Sequence, residues 1–270
     1  NAEFYPAGHF YSAIPSPHDI RADQRRIWPA DPSRTLSGVD LREAEQLELL
    51  SKLAEYYNEQ PWSAHQKPGC RYYFDNHYYS YSDAIFLYAM VRHFKPAKFI
   101  EVGSGYSSAA LLDVSTKFLD NSVSFTCIEP QPSRLSQLLQ PNDQVQILPK
   151  RVQDIDIDLF LGLKEHDVLF IDSTHVLKTG SDVNYLLFEI LPILNSGVLI
   201  HFHDIFYPFE YRKEWVLERR AWNEAYALRC FLQYNSVFRI KLFNTFLEQF
   251  HKEWFSTNMP LCLKNRGGSI

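Results

Sequence analysis

The spacing of apolar positions changes at about residue 97. Before that point it is helical: apolar residues at 47, 50, 53, 54 and 57 predict a helix over 40–57, and a second helix, capped by Ser82 or Asp83, follows. After that point, short apolar runs alternate with segments of helical spacing. We predict strands over 98–102, 123–128, 145–148, 167–171 and 198–202, and helices over 107–118, 133–139 and 183–194.

This alternation is typical of parallel β–α–β units and predicts an α/β fold with a doubly wound, mostly parallel sheet. Five prolines within residues 1–35 favour an extended arm over long helices there. We therefore divide the chain into an N-terminal arm and helical cap, residues 1–94, and a sheet domain, residues 95–270. Ligands of such sheets bind beyond the carboxyl ends of the strands, so the residues at those ends form the candidate site.

The first predicted strand runs into a glycine-rich turn, EVGSGYSS, at residues 101–108. Gly103 and Gly105 let the backbone turn sharply and approach a ligand, and the following helix offers free N–H groups. Glu101 would repel a pyrophosphate but attract a cationic amine. Ser108 stands where a dinucleotide-binding turn has its third glycine or alanine. Both residues oppose an NAD-dependent oxidoreductase, and an ordinary tight turn is the alternative.

The ends of the next two strands carry side chains suited to a nucleoside. Glu129 ends the second strand and is placed to accept hydrogen bonds from the two hydroxyls of a ribose. Gln153 follows the third strand and is placed against an adenine edge, with a solvated loop as the alternative. Together these residues predict a pocket for a nucleoside that lacks a diphosphate.

The fourth and fifth strands end in polar motifs of their own. The fourth ends in Asp172-Ser-Thr-His175 and the fifth in His201-Phe-His203-Asp204. Two carboxylates and a histidine that meet at one edge of a sheet suit a divalent metal with hard oxygen ligands, and they also suit a general base. The alternative is that they are satisfied polar caps of the strand ends.

These motifs resemble those of the class I S-adenosylmethionine-dependent methyltransferases. The segments that carry the resemblance are EVGSGYSS, IEP, DVLFIDSTH and SGVLIHFHDI, within residues 95–205. It implies a Rossmann-like sheet of about seven strands, in which 236–243 and 259–264 form an antiparallel closing hairpin. It also implies S-adenosylmethionine as cofactor, with Glu101 at the methionine amine and Glu129 at the ribose. The residues expected to bind the cofactor are Glu101, Gly103, Ser104, Gly105, Ser107, Glu129, Gln153 and Asp172.

The D-x-x-H motif from Asp172 to His175 is similar to that of metal-dependent O-methyltransferases of small molecules, such as sugars or catechols. In that branch His175 would take the proton from the acceptor hydroxyl. The resemblance implies His175, Asp172 and Asp204 as catalytic residues, and Asp172, His203 and Asp204 as ligands of Mg2+ or another divalent metal. The family usually has an acidic residue where this chain has His203. Fewer protein ligands, a different metal or no metal are therefore alternatives.

Composition narrows the expected partners. A formal net charge of -5 opposes nucleic acid, and no apolar run approaches the roughly 20 residues of a membrane helix. Four scattered cysteines and the lack of a signal segment favour the cytoplasm.

Aromatic residues make up 15% of the chain, and much of the tyrosine lies outside the predicted sheet. We expect these rings either to line a pocket for a ring-shaped acceptor, a sugar or a phenol, or to form a structural cap, and we assign Trp215 and Trp222 to the core.

The sequence therefore predicts methyl transfer from S-adenosylmethionine to a hydroxyl of a small molecule, by a monomer or a homodimer. Two alternatives stay open. One is a metal-free methyltransferase that acts on nitrogen or a carboxylate, and the other is a non-catalytic nucleoside-binding protein of the same fold. The joint presence of Asp172, His175 and Asp204 favours an enzyme, because a binding protein has no need of them.

Overall fold

The computed structural model describes residues 4–270, so the first three residues of the predicted arm lie outside the described residues. Its centre is a sheet of five parallel strands in the order β3-β2-β1-β4-β5. The strands are β1 (Lys98–Val102), β2 (Ser124–Ile128), β3 (Gln146–Leu148), β4 (Val168–Ile171) and β5 (Leu199–Phe202). Each begins at, or one residue after, its predicted start. The α/β fold with a parallel, Rossmann-like sheet is confirmed.

Helices and short helical turns connect the strands and complete the fold. The helices are α1 (Pro17–Ile27), α2 (Glu43–Ala54), α3 (Tyr81–Phe94), α4 (Tyr106–Phe118), α5 (Ser133–Leu138), α6 (Asp158–Leu161), α7 (Asp182–Tyr185), α8 (Lys213–Leu217), α9 (Glu224–Leu232), α10 (Asn244–Phe250) and α11 (Lys252–Asn258). Turns of 3-10 helix lie at Tyr57–Glu59, Val152–Asp154, Leu191–Ile193 and Pro260–Lys264, and a π-helical turn lies at Leu186–Ile190.

Burial explains why the strands could be predicted from the sequence. All four residues of β4 are buried, as are the last four of β1 and of β2. A parallel strand covered on both faces is apolar along its whole length, which gives the continuous runs seen in the sequence. Because β1 pairs with β2 on one side and with β4 on the other, the order of connection reverses between β1 and β4. That reversal is where a doubly wound sheet opens a crevice for a ligand.

The prediction of a sheet of about seven strands was wrong for the described residues, because neither segment of the expected hairpin forms a strand. Residues 236–243 follow an irregular path, and the N–H of Phe243 donates to Gln46 Oε1 at 2.7 Å instead of to a strand. The second segment contains Pro260, which has no N–H to give to a ladder, and Pro260–Lys264 forms a 3-10 turn. A short antiparallel pairing takes their place, in which Phe202 of β5 and Ile270 exchange both backbone hydrogen bonds.

The prediction of an extended N-terminal arm was also wrong, because α1 lies within that arm. Ser16 caps this helix by accepting from the N–H of Asp19, and Pro17 occupies the first turn, where its missing N–H costs nothing. No residue of α1 is buried. Pro17 therefore favours the start of this helix rather than preventing it.

The predicted cap of α3 was misplaced. Ser80 is the capping residue, and Ser82 and Asp83 make tertiary contacts from inside the first turn. The hydroxyl of Ser82 donates to Glu248 of α10, and Asp83 Oδ1 accepts from the hydroxyl of Ser269 at 2.7 Å. These two residues therefore hold α3 against the C-terminal part of the chain.

The helix predicted over 183–194 is present as a composite. The α-helical turns of α7 continue into the π-helical turn, and the run ends in the 3-10 turn at Leu191–Ile193. Pro192 lies in that last turn and cannot donate to the preceding carbonyl, so the regular helix ends before it.

A buried charge cluster joins the segment before α3 to α4. Asp113 of α4 is fully buried and accepts from the guanidinium and the backbone N–H of Arg71 and from the indole N–H of Trp62. Arg71 pairs with Asp143 as well.

The division of the chain at residue 95 stays a prediction, although buried side chains from both sides of it lie in one continuous core. Among the residues described, no helix has the length and apolarity needed to cross a membrane.

Candidate active site

The glycine turn after β1 is a point of close backbone contact. Gly103 has φ 81°, and a Cβ placed on it would lie 1.8 Å from the carbonyl oxygen of Asp172. The N–H of Asp172 donates to Val102 O at 2.8 Å. Only glycine satisfies both the left-handed conformation and this approach. The turn is thereby held directly against the end of β4, so the first and fourth motifs meet.

Glu101 lies beneath this turn and is 1% exposed. Its carboxylate accepts from the hydroxyl of Ser107 at 2.6 Å, from the hydroxyl of Ser108, and from the thiol of Cys127 at 3.5 Å. Burial outweighs these three donors and raises the pKa of Glu101 to about 7. Glu101 and Ser107 thus bind each other and fix the start of α4 on β1.

Ser104 and Glu129 meet at the ends of β1 and β2. The N–H of Ser104 donates to one oxygen of Glu129 at 3.3 Å, and the N–H of Gln131 donates to the other at 2.8 Å. The hydroxyl oxygen of Ser104 is buried and has no hydrogen-bond partner among the described residues. A buried hydroxyl without a partner is costly unless a ligand or water satisfies it. The pair therefore offers a carboxylate and a free hydroxyl at one place.

Gln153 lies in the 3-10 turn after β3. Its amide nitrogen donates to Gly180 O at 2.9 Å, which ties this turn to the loop before α7. Its Oε1 is buried and, within residues 4–270, has no donor. The side chain is therefore anchored on one atom and able to accept from a ligand on the other.

His175 is the centre of the polar cluster at the ends of β4 and β5. It is 5% exposed, and its Nδ1 lies 2.8 Å from Glu224 Oε2. Its Nε2 lies 3.4 Å from Asp172 Oδ1 and 3.5 Å from Asp204 Oδ2. The structure thus brings together the three residues predicted to be catalytic and adds Glu224, a fourth.

Electrostatics at this cluster favour a protonated histidine. Burial alone would lower the pKa of His175, but hydrogen bonds to Asp172 and Glu224 outweigh it and raise the pKa to about 10. Burial likewise acts to raise the pKa of Asp172, but the nearby His203 and His175 hold it below its ordinary value. Burial dominates at Asp204 and raises its pKa. Near neutral pH the imidazolium therefore balances the carboxylate charge around it.

His203 completes the set of residues predicted to bind a metal. Asp172, His203 and Asp204 each offer a ligand atom, and the three atoms lie within 4.8 Å of one another. Two carboxylates and an imidazole fit one divalent cation once the side chains contract around it, and this mixed set suits Mn2+, Fe2+ or Zn2+ better than Mg2+. His201 lies on the same face, with its ring 6.0 Å from that of His203, and burial lowers its pKa well below the ordinary value.

Aromatic rings border both halves of the site. Beside the polar cluster, the Trp222 ring lies 4.5 Å from His175 and the buried Tyr79 ring lies 5.1 Å from His203. Trp222 and Trp215, both assigned to the core, are half-buried and pack against it. At the glycine turn, Tyr78 lies 5.9 Å from Tyr106, the first residue of α4, in a stacked arrangement. The guanidinium of Arg134 lies over the ring of Tyr78, 3.9 Å from its centroid.

Comparison with known proteins gives this arrangement a family. Residues 100–205 match the sequence model of a methyltransferase domain. An uncharacterised protein of Archaeoglobus fulgidus is 31% identical over 169 residues, which cover 61% of this chain and 76% of that protein. The chain therefore contains a methyltransferase domain, and this match supports S-adenosylmethionine-dependent methyl transfer.

Two solved structures resemble this methyltransferase more distantly. A Podospora anserina methyltransferase with bound S-adenosylhomocysteine is 12% identical, with a TM-score of 0.42, over 87% of this chain and 92% of that one. A plantazolicin methyltransferase, in complex with a monoazolic desmethyl-plantazolicin analogue and S-adenosylhomocysteine, is 15% identical, with a TM-score of 0.34, over 84% and 91% of the two chains. Neither is similar enough to assign an acceptor to this methyltransferase.

The methyltransferase has site residues that the sequence did not single out. Glu224 contacts His175 from 49 positions away, and the only local signal for it is an acidic residue at the start of a helix. Trp222, two residues earlier, was assigned to the core from the sequence, and its contact with His175 was not predicted. The spacing within each motif could not reveal either contact, because both depend on the path of the chain between β5 and α9.

Proposed function

We propose that this methyltransferase transfers the methyl group of S-adenosylmethionine to a hydroxyl of a small molecule, with His175 as the general base. The observation that carries this proposal is a buried histidine between two carboxylates, in the loop that follows β4, the strand next to β1 and its glycine turn. A methyl acceptor placed beyond the ends of β1 and β4 would lie between the cofactor residues and this histidine.

The residues of the glycine turn fit the cofactor. Ser104 Oγ and Gln153 Oε1 are buried atoms that need a hydrogen-bond partner, and Glu129 presents a half-buried carboxylate beside the first of them. We propose that Glu129 binds the ribose hydroxyls and that Gln153 accepts from the adenine amine. Gly103, Gly105 and Ser107 would shape the turn around the methionine part, with Glu101 beneath it.

Bound S-adenosylmethionine supplies an electrophilic methyl group on a sulfonium, which is already a good leaving group. The protein therefore has to align the acceptor and remove one proton. His175 holds a proton near neutral pH, so it must release it before it can accept the proton of the hydroxyl at Nε2. Asp172 and Asp204 lie at that nitrogen and stabilise the imidazolium that forms again on proton transfer.

A divalent metal is a separate part of the proposal. Asp172, His203 and Asp204 would hold it, and a bound ion would lower the pKa of the acceptor hydroxyl. Activity that survives exhaustive EDTA treatment would exclude an essential ion. Activity that is lost with EDTA and returns with Mn2+ better than with Mg2+ would support the mixed ligand set.

Calorimetry with S-adenosylhomocysteine tests the cofactor half. We expect micromolar binding to the native protein and at least about ten-fold weaker binding to Glu129→Ala, because a hydrogen bond to a charged group contributes about 1.5–3 kcal/mol. Glu253→Ala, which removes an exposed carboxylate on α11, should bind as the native protein does. Absence of binding to the native protein would overturn the proposal.

Methyl transfer from labelled S-adenosylmethionine to a panel of phenols and sugars tests the other half. His175→Ala should keep cofactor binding and lose about 100-fold or more in kcat, the usual contribution of a general base. Methylation of amines or carboxylates instead of hydroxyls would favour the metal-free alternative. Cofactor binding without transfer to any acceptor class would favour a nucleoside-binding protein.

A further inference from the structure

Glu224 is a buried carboxylate whose main side-chain contact is the candidate base. It is the first residue of α9 and is 0% exposed. Oε2 lies 2.8 Å from His175 Nδ1, and Oε1 accepts from the hydroxyl of Ser173 at 3.2 Å. A buried charge of this kind is expensive unless it is paired, so the position of the imidazole and that of the carboxylate depend on each other.

The same helix start also holds the backbone of His175. This residue has φ 59°, a left-handed conformation that is unfavourable for a non-glycine residue. Its carbonyl oxygen accepts from the N–H of Asn223 at 3.0 Å and from the N–H of Glu224 at 3.2 Å. The side chain of Asn223 accepts from the N–H of Leu177 at 2.6 Å. A strained histidine held at both its backbone and its ring is an arrangement expected of a functional site.

We propose that Glu224 is a positioning residue for His175, an inference that rests on the proposed role of His175 as base. A neutral imidazole carries one proton, and a carboxylate beside Nδ1 keeps that proton there. The lone pair is then on Nε2, the nitrogen that faces Asp172 and Asp204 and that would meet an acceptor hydroxyl. Without Glu224 the ring is free to rotate or to carry its proton on Nε2, and in both cases it loses its function as base.

A spectroscopic experiment tests this positioning without knowledge of the acceptor. The protein is labelled with 15N-histidine and saturated with S-adenosylhomocysteine, and the His175 signals are assigned by their absence in His175→Gln. We expect a low-field, slowly exchanging Nδ1–H signal. It should persist, with a changed shift, in Glu224→Gln, which keeps an acceptor oxygen, and disappear in Glu224→Ala. An unchanged His175 signal in Glu224→Ala would overturn the proposal.

Glu210→Gln is the matched control. Glu210 is another half-buried carboxylate of this region, and it accepts from Tyr226 and from the N–H of Tyr211 rather than from His175. The His175 signals should be the same in this variant as in the native protein. A change as large as that in Glu224→Ala would show that any lost carboxylate disturbs the site, and it would refute a specific role for Glu224.

Kinetics with catechol as a probe acceptor separates positioning from a purely structural role. We expect Glu224→Ala to lower kcat about 100-fold while the KM for S-adenosylmethionine and the affinity for S-adenosylhomocysteine stay within about two-fold, and Glu224→Gln to recover part of the loss. The double variant with His175→Ala should be no slower than His175→Ala alone. Additive losses would contradict the proposal. A native protein that neither binds S-adenosylhomocysteine nor methylates the probe would refute the proposed function, and the 15N signals of the protein without ligand would still decide whether Glu224 positions His175.

Discussion

The carboxyl group of Glu101 makes the stability of the protein depend on pH, and Glu101→Gln should remove that dependence. The folded state raises the pKa of this group from 4.5 to about 7, chiefly through burial. Each pH unit between these values corresponds to about 1.4 kcal/mol, so the difference amounts to about 3 kcal/mol. The folded chain binds the proton more tightly than the unfolded chain. This contribution to stability is therefore fully present below pH 4.5 and is lost as the pH rises through 7.

Glutamine at this position keeps the shape of the side chain without the charge. The hydroxyls of Ser107 and Ser108 donate to the carboxylate, and each can accept from an amide instead. Urea unfolding followed by tryptophan fluorescence measures the free energy of unfolding of both proteins. The stability of Glu101→Gln relative to the native protein should rise by about 3 kcal/mol between pH 4.5 and pH 8. All other groups cancel in this difference, because the two chains share them.

Glu253→Gln controls for the loss of any carboxylate, since Glu253 is exposed on α11. Its stability relative to the native protein should change by less than about 0.5 kcal/mol over the same range. The reasoning about Glu101 would be refuted by a difference that is the same at pH 4.5 and at pH 8. Such a result would mean that the three donors compensate the buried charge completely.

Two further substitutions test the framework of the site. Gly103→Ala places a Cβ 1.8 Å from the carbonyl oxygen of Asp172, in a residue with a left-handed backbone. We expect the free energy of unfolding to fall by at least about 2 kcal/mol, and calorimetry to show that S-adenosylhomocysteine binding is lost. A variant that unfolds and binds like the native protein would contradict this. Asp113→Ala leaves the buried Arg71 with one carboxylate partner instead of two and should cost about 3–5 kcal/mol in urea unfolding, whereas Asp31→Ala, at an exposed site, should cost less than about 0.5 kcal/mol.

The strands could be predicted from the sequence because their physics is local. A strand such as β4, buried at all four positions, has to be apolar throughout, and the polar residue that follows it, Asp172, marks its end. The candidate residues at the strand ends therefore followed from the strands and from the general position of ligands in such sheets. Their convergence was an inference from topology, and the Gly103–Asp172 contact shows that the ends of β1 and β4 meet.

Other elements could not be predicted because competing interactions decide them. The sequence Val-Phe-Arg-Ile-Lys-Leu at 237–242 alternates as an edge strand does, yet the next N–H donates to the side chain of Gln46, nearly 200 residues earlier. Pro17 argued against a helix by composition, although at the first turn it favours one. In both cases the general preference of the residues was interpreted correctly, but the sequence did not show where in an element each residue would lie.

The polar cluster shows the same limit in the site itself. Asp172 and His175 are three positions apart, so a motif can record their pairing, but Glu224 approaches His175 from a helix whose position depends on the whole segment after β5. Sequence patterns thus reveal groups that a reaction would use directly, because those groups cluster at strand ends. They do not reveal the groups that orient them, because any helix that packs nearby can supply a carboxylate. A buried acidic residue at the start of a helix, packed against a strand-end histidine, is therefore the feature to look for in structures of related methyltransferases.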